Sequence, residues 1–279
     1  MKRVGIIFHP MNEAAGNLAR ELEQFLGTQG VSAWLCSAWE GEAARACVDG
    51  TDLVLSIGGD GTILRAAQAV LPRSVPITGI NLGNLGFMTE LTVDEAREKL
   101  TALLAGEGWL DERSLLEAEL PVTGGASGLQ TFYALNDMVI AHGEVARLIR
   151  IEARVDGQLL TNYKADGAIV STATGSTGYS LAAGGPILHP QAKEMLLLPI
   201  VPHLSASYKL VLPSTSTIEL RVSTLHSAAL TVDGHIVTPL SDGTVVTIKR
   251  SSNTVRFMRI HSDTSFFGSL EQRLKGKQG

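Results

Sequence analysis

Two glycine-rich strings carry the side chains best placed for chemistry: Gly58-Gly59-Asp60-Gly61-Thr62 and Thr172-Ala173-Thr174-Gly175-Ser176-Thr177-Gly178-Tyr179. The first follows the apolar run 53–57 and precedes Ile63-Leu64-Arg65-Ala66-Ala67, which has helical character. Strand, tight turn and helix in that order leave free N–H groups at the helix start, where an anion is favoured. Glycines in the turn let a ligand approach the backbone. A carboxylate there repels phosphate, so Asp60 makes more sense as a base, or as a metal contact, beside a phosphate than as part of its cradle. Its structural alternative is a helix N-cap. No Gly-Lys-Ser/Thr follows and the Gly-x-Gly-x-x-Gly spacing is missing, so neither a Walker A loop nor a dinucleotide fingerprint is present.

The second string sits in a tract from Asp166 to Pro186 that contains no Lys or Arg. Ser176, Thr177 and Tyr179 offer hydroxyls, Gly175 and Gly178 permit close approach, and the Tyr179 ring could stack on a base. A tight crossover between a strand and a short helix is the structural alternative. Asn136-Asp137 places two polar residues inside the apolar run 131–140, as a ligand contact or a strand edge. Asp166 could simply orient a loop. The seven histidines form no metal-ligand spacing; His9-Pro10, His189-Pro190 and Pro202-His203 read as structural. Cys36 and Cys47 lack CxxC spacing, which excludes a disulfide framework and a zinc site and suits reduced thiols in the cytoplasm.

These residues need elements to position them, and 279 residues suffice for two domains. A composition 44% hydrophobic and 18% charged can bury a core. No apolar stretch approaches the roughly 20 residues that span a bilayer. The N-terminal apolar run is too short for a signal-peptide core and reads as a buried strand. A net charge of −5 without a basic cluster argues against nucleic-acid binding. It also means that a bound polyphosphate must rely on backbone N–H groups, a few cations or a divalent metal.

Strands are expected at 4–8, 32–36, 52–57 and 75–81, with helices at 12–27, 40–48, 61–71 and 94–106. This alternation implies a parallel α/β sheet, whose ligands sit beyond the strands' carboxyl ends. Gly58–Thr62 and Asn81-Leu82-Gly83-Asn84-Leu85-Gly86-Phe87 both fall at such ends. After Gly108 the texture becomes short Val-, Ile-, Thr- and Leu-rich runs: 115–122, 131–140, 148–155, 168–171, 217–222, 228–232, 245–249 and 255–260. Asp156-Gly157, Asp233-Gly234 and Asp242-Gly243 mark turns between them. The expectation is an α/β domain over 1–108 and a mainly antiparallel β domain over 109–263. The segment 264–279, helical at 269–275, is a candidate to return to the first domain.

In this order the strings resemble the NAD kinase family. The match runs through Gly58–Thr62, Gly79–Phe87, Ala134-Leu135-Asn136-Asp137, Asp166–Pro186, Pro199-Ile200-Val201-Pro202-His203 and Asp233-Gly234. The first motif alone is shared with diacylglycerol and sphingosine kinases and phosphofructokinases. The second string and the Asn-Asp pair are more specific. The resemblance implies phosphoryl transfer from ATP or polyphosphate, with Mg²⁺ or another divalent metal, to the adenosine ribose 2′-hydroxyl of NAD. It makes Asp60 the base, and Gly58, Gly59, Gly61, Thr62 and Asn81 nucleotide contacts. Phe87, Asn136, Asp137, Asp166, Thr174, Ser176, Thr177, Gly178 and Tyr179 would complete the substrate site. It further implies a site between the two domains and a homodimer or homotetramer. Asp137, Ala173, Gly178 and Tyr208-Lys209 depart from the family's usual Glu, Pro, Ala and Arg-Pro. A lipid kinase of the diacylglycerol type, and a dinucleotide-binding regulator that has lost catalysis, are the alternatives.

Overall fold

The computed structural model describes residues 1–83, 86–121, 128–143, 148–203, 207–224, 227–262 and 265–275. Asn84 and Leu85 of the Asn81–Phe87 string, Val122 of an expected strand, and positions 264 and 276–279 lie outside them. The chain divides into two compact units, Met1–Glu112 with Val255–Gly279, and Arg113–Thr254. These divisions fall inside strands rather than at 108 and 263, because two long strands run through the points where composition changes.

In the first unit the chain runs β1 (Arg3–Phe8), α1 (Glu13–Thr28), β2 (Ser32–Ser37), α2 (Gly41–Cys47), β3 (Leu53–Ile57), α3 (Asp60–Val70), β4 (Ile77–Ile80) and α4 (Val93–Ala105). The strands form a parallel sheet in the order β2-β1-β3-β4. Side chains alternate across it. Val4 and Ile6 of β1, with Leu53, Leu55 and Ile57 of β3, join a cluster containing Leu18, Leu22 and Leu26 of α1 and Leu100 and Leu103 of α4. Gly79 faces the other way, against Ile63 of α3. Helix ends follow their chemistry: Asn12 accepts from Ala14 and Ala15 N–H, and Thr92 forms a reciprocal capping box with Glu95.

In the second unit follow β5 (Trp109–Pro121, entering from the first), β6 (Leu129–Ala134), β7 (Asp137–His142), β8 (Ile149–Val155), β9 (Gln158–Ala165) and β10 (Gly167–Ser171). A 3₁₀ turn at Thr174–Thr177 and the short α5 (Tyr179–Ala182) lead to β11 (Met195–Ile200), β12 (Leu210–Leu212), β13 (Thr217–Ser223), β14 (Ala228–Val232) and β15 (Ile236–Leu240). The last strand, β16 (Val245–Arg259), passes back into the first unit, where Phe257 pairs in parallel with Ile77, and α6 (Ser265–Lys275) ends the described chain. One sheet of the second unit is antiparallel in the order β12-β11-β10-β7-β14-β15. The other joins β13 to β16 and β8, and β8 to β9. Alternate residues of both sheets, among them Met138, Ile140, Val170 and Leu230 facing Ile151, Tyr163, Leu220 and Val246, make one core. The result is an α/β unit followed by a mostly antiparallel β unit.

Three local expectations change. The run 131–140 is two strands, interrupted at Leu135-Asn136, because side chains from distant segments take the backbone groups there. The runs 245–249 and 255–260 are one strand, since Arg250–Thr254 continue in extended pairing. Strands β9, β11, β12 and β15 carry too little alternation to be recognised. Asp156-Gly157, with φ of 52° and 76°, makes the expected tight turn between β8 and β9.

Candidate functional site

The sequence-derived site residues fall in both units. In the first, β3 is buried throughout and is followed by Gly58, whose φ of +151° turns the chain into α3. Gly59 is the N-cap of α3 and makes no side-chain cap, while Asp60 is already inside the helix. Capping is therefore not what Asp60 does. Its carboxylate instead accepts two N–H groups from a loop far away in sequence, Phe87 N–H on Oδ2 and Met88 N–H on Oδ1, both at 3.0 Å. Each oxygen keeps a lone pair for a proton or a cation. Gly86 permits this approach, because a Cβ at that position would overlap Asp60 Oδ1.

The loop that holds Asp60 is itself held. Asn81, buried, both accepts from Gly83 N–H and donates to Gly83 O, so its amide closes the turn. Arg259 donates to Met88 O at 2.9 Å and pairs with Glu90 and Asp111. Glu90 in turn accepts from the backbone N–H of Ile260 and His261. Arg273 of α6 donates to Gly86 O. A guanidinium buried with two carboxylates and a carbonyl is fully paired, which such a charge requires.

Beside the turn lies a cavity of ≈ 320 Å³ lined by His9, Ala38, Trp39, Gly59, Gly61, Thr62 and Arg65. Thr62 Oγ1 and His9 Nδ1 are buried without a hydrogen-bond partner among the described residues.

In the second unit the break between β6 and β7 is built by Asp233. Its Oδ1 accepts from Asn136 N–H at 2.7 Å and Asp137 N–H at 3.3 Å, and its Oδ2 from Leu135 N–H at 3.0 Å. From the other side, Thr172 N–H donates to Asn136 O, and Thr172 Oγ1 donates to Leu135 O and accepts from Gly175 N–H. The 3₁₀ turn is thus clamped onto the break. Asn136 Oδ1 is buried without a partner, so a hydrogen-bond acceptor is left over at this point. Asp137 is almost fully buried, and burial first, then the Asp233 charge, push its carboxyl up to about 7; the Tyr179 backbone N–H pulls it back down.

Other candidates serve different ends. The Ser176 hydroxyl is fully buried, donating to Ala173 O and accepting from Leu188 N–H. Thr177 Oγ1 donates to Thr174 O, and Thr174 Oγ1 accepts from the buried Arg113. Tyr179 is 46% exposed at the rim of the turn. Gly178 adjoins Asn136 and Asp137; a Cβ there would stand 3.2 Å from Gly175 O and 3.4 Å from Asn136 Nδ2. Asp166 is not part of this cluster within the chain. Gly167 pairs with Ala141 and Ser171 with Asp137, so Asp166 lies beyond the opposite end of β10, on the order of 15 Å away.

The sequence matches the ATP-NAD kinase N-terminal domain over residues 27–108 and the ATP-NAD kinase C-terminal domain over 135–260. An NAD kinase of Dehalococcoides mccartyi is 49% identical over 99% of this chain and 96% of its own. One from Chloroflexus aurantiacus is 36% identical over 99% of both. The chain belongs to the NAD kinase family. It is accordingly a phosphotransferase that acts on NAD. Among solved structures, a yeast NADH kinase complexed with NADH superposes with a TM-score of 0.88 at 24% identity, covering 99% of this chain and 88% of that one. An NAD kinase from Archaeoglobus fulgidus in complex with ATP superposes at 0.77 with 25% identity over 97% and 99%. For an NAD kinase the two clusters have distinct duties: a fixed carboxylate in the α/β unit, and a tightly built polar turn in the β unit. The sequence marks Asp233 only as a turn residue within the family match and singles out neither Arg113 nor Arg259, because each acts on backbone or hydroxyl groups remote in sequence. His9 escaped because a histidine before proline reads as structural.

Proposed function

We propose that the protein transfers the γ-phosphoryl group of ATP to the adenosine ribose 2′-hydroxyl of NAD, giving NADP. Asp60 is the general base in this reading. The observation that carries it is the carboxylate's fixation by two backbone N–H groups at the carboxyl end of β3. Such fixation aims an oxygen without a rotamer search, and phosphoryl transfer depends on positioning and charge neutralisation more than on covalent help. The turn Gly58, Gly59, Gly61 and Thr62 takes donor phosphates, with the N–H groups of Gly59 and Gly61 at the start of α3 facing them, since those of Gly58 and Thr62 already donate to Ile80 O and Gly59 O. Asn136, Asp137, Thr174, Thr177, Gly178 and Tyr179 take the dinucleotide, with the unpartnered Asn136 Oδ1 accepting from a ligand hydroxyl or amine. Phe87 contributes its N–H to Asp60, while Asn81 and Ser176 brace the loops. Asp166 stands apart from this cluster within the chain.

Among the described residues no group of three or more His, Cys, Asp or Glu side chains stands close enough to cage a metal. That donor set fits Mg²⁺ carried by the donor phosphates with a carboxylate such as Asp60, which is how Mg²⁺ is usually held in kinases. When bound it would neutralise the charge developing on the transferred group. Free thiols at Cys36 and Cys47 suit a reducing cytoplasm, and among the described residues no helix is long and apolar enough to cross a membrane. Exposed apolar residues of the second unit, such as Leu129, Val201 and Val237, support assembly as a homodimer or homotetramer.

The test is to incubate the protein with ATP, Mg²⁺ and NAD and to measure NADP with an NADP-specific dehydrogenase. Turnover that stops in excess chelator and returns with Mg²⁺ supports the reading. Phosphorylation of diacylglycerol without NADP would favour a lipid kinase, and NAD binding without product a lapsed regulator.

A further inference from the structure

The peptide between Gly86 and Phe87 is bonded at both ends by side chains far apart in sequence. Its N–H donates to Asp60 Oδ2 at 3.0 Å, and its carbonyl accepts from Arg273 of α6, 187 residues on. A peptide unit is planar, and in the trans form its C=O and N–H point in opposite directions. Fixing the carbonyl therefore fixes the direction of the amide. The need for this arises from Gly86. A Cβ there would overlap Asp60 Oδ1, and the glycine that grants the approach also leaves its peptide freer to turn over. A turned peptide would present a carbonyl oxygen to a carboxylate. The guanidinium on the far side opposes that turn, and by drawing on the carbonyl it strengthens the N–H as a donor. The carbonyls of Met88 and Thr89 face Arg259 at 2.9 and 3.5 Å. Along this loop, amides meet a carboxylate and carbonyls meet guanidinium groups.

The two arginines differ in what else they hold. Arg259 is buried with Glu90 and Asp111, so its loss would disturb two buried carboxylates as well. Arg273 is half-buried, in the last turn of an 11-residue helix whose Phe267 is 70% exposed. A helix that short is marginal alone, so α6 keeps its place through its contacts, of which the Gly86 carbonyl is one. We propose that Arg273 is a positioning residue for phosphoryl transfer: α6 holds the Gly86–Phe87 peptide so that its N–H aims the Asp60 carboxylate at the hydroxyl to be phosphorylated. This rests on the reading of Asp60 as general base and adds the group, outside both glycine-rich strings, that sets its direction.

The experiment is a double-mutant cycle in steady-state assays with ATP, Mg²⁺ and NAD. It compares wild type, Arg273→Ala, Asp60→Asn and the pair, with Arg273→Lys beside them and a thermal melt of each. Misplacing a catalytic group by about 1 Å can cost about 10²-fold, so kcat in Arg273→Ala should fall roughly 10- to 100-fold with both KM values unchanged. Arg273→Lys keeps the charge and loses the planar fork, and its kcat should lie between. Two residues that act through one group are not additive, so in the Asp60→Asn background Arg273→Ala should cost less than about twofold. A wild-type kcat in Arg273→Ala would overturn this inference and leave Asp60 standing as the base. So would the full loss repeated on top of Asp60→Asn, which is the mark of a helix that supports the fold and not the carboxylate. Where Arg273→Ala is unfolded at the assay temperature, Arg273→Lys carries the same cycle. A kcat in Asp60→Asn within about tenfold of wild type would overturn both readings.

Discussion

Replacing Asp60 by Asn separates catalysis from architecture in a way the structure makes quantitative. The native carboxylate accepts one N–H on each oxygen, from Phe87 and Met88. An amide of the same shape can accept only one of them and must turn its NH₂ toward the other donor. The loss is one hydrogen bond to a charged group, worth about 1.5–3 kcal/mol, and nearer the low end because Asp60 is only half-buried. At about 2–4 °C per kcal/mol the melting temperature should fall by roughly 3–6 °C. Native stability of about 5–15 kcal/mol leaves the variant folded at 25 °C, so its kinetics there report chemistry. Loss of a general base costs about 10²–10⁴ in rate, and kcat for NADP formation should fall by that factor while NAD still binds. The assays are a thermal melt and coupled NADP detection on one preparation. A kcat within tenfold of wild type would refute the base. An unchanged melting temperature would refute the two-amide clamp, since only a helix cap tolerates Asn freely.

Gly86→Ala keeps the carboxylate and moves it, because the new Cβ overlaps Asp60 Oδ1; kcat should drop about 10²-fold, as misplacement of about 1 Å can cost, and a normal kcat would show that the clamp is not tight. Asp137 has a carboxyl raised to about 7 from an ordinary 3.8. The folded state therefore holds this proton more tightly, and that contribution to stability is full below about pH 4 and lost as pH rises to about 7. Asp137→Asn should flatten this part of the melting profile and be more stable than wild type at pH 8; parallel profiles from pH 4 to 8 would contradict the burial argument. Asp233→Ala strips partners from the N–H groups of Leu135, Asn136 and Asp137, so urea unfolding should show a loss above about 3 kcal/mol, and a loss under 1 kcal/mol would mean water replaces the carboxylate.

The alternation of strands and helices to Gly106 was legible because each element follows from local pattern, and the Gly58–Thr62 turn was visible through glycine and carboxylate at a strand end. What Asp60 touches was not. Nothing near Phe87 announces that its N–H reaches 27 residues back, and propensity alone reads Asp60 as a cap. The run around Asn136 has strand composition, yet it breaks because Asp233, 97 residues on, competes for its N–H. Arg259 sits 171 residues from the carbonyl it holds. Long-range polar satisfaction leaves no periodicity, whereas core packing does. That is why the fold was readable and the bracing of its site was not.

Because β16 passes back from the second unit, the first is discontinuous along the chain. A ribosome releases Met1–Glu112 long before Val255–Arg259 exists. Roughly 140 residues intervene, on the order of ten seconds of synthesis. During that interval β4 pairs with β3 at Ile77 but lacks β16 on its other edge, and Met88 O lacks Arg259. The loop that aims Asp60 can be fastened only near the end of translation. A nascent chain, or one terminated early, therefore holds every glycine of the Gly58–Thr62 turn and still lacks the guanidinium that fastens the loop against Asp60.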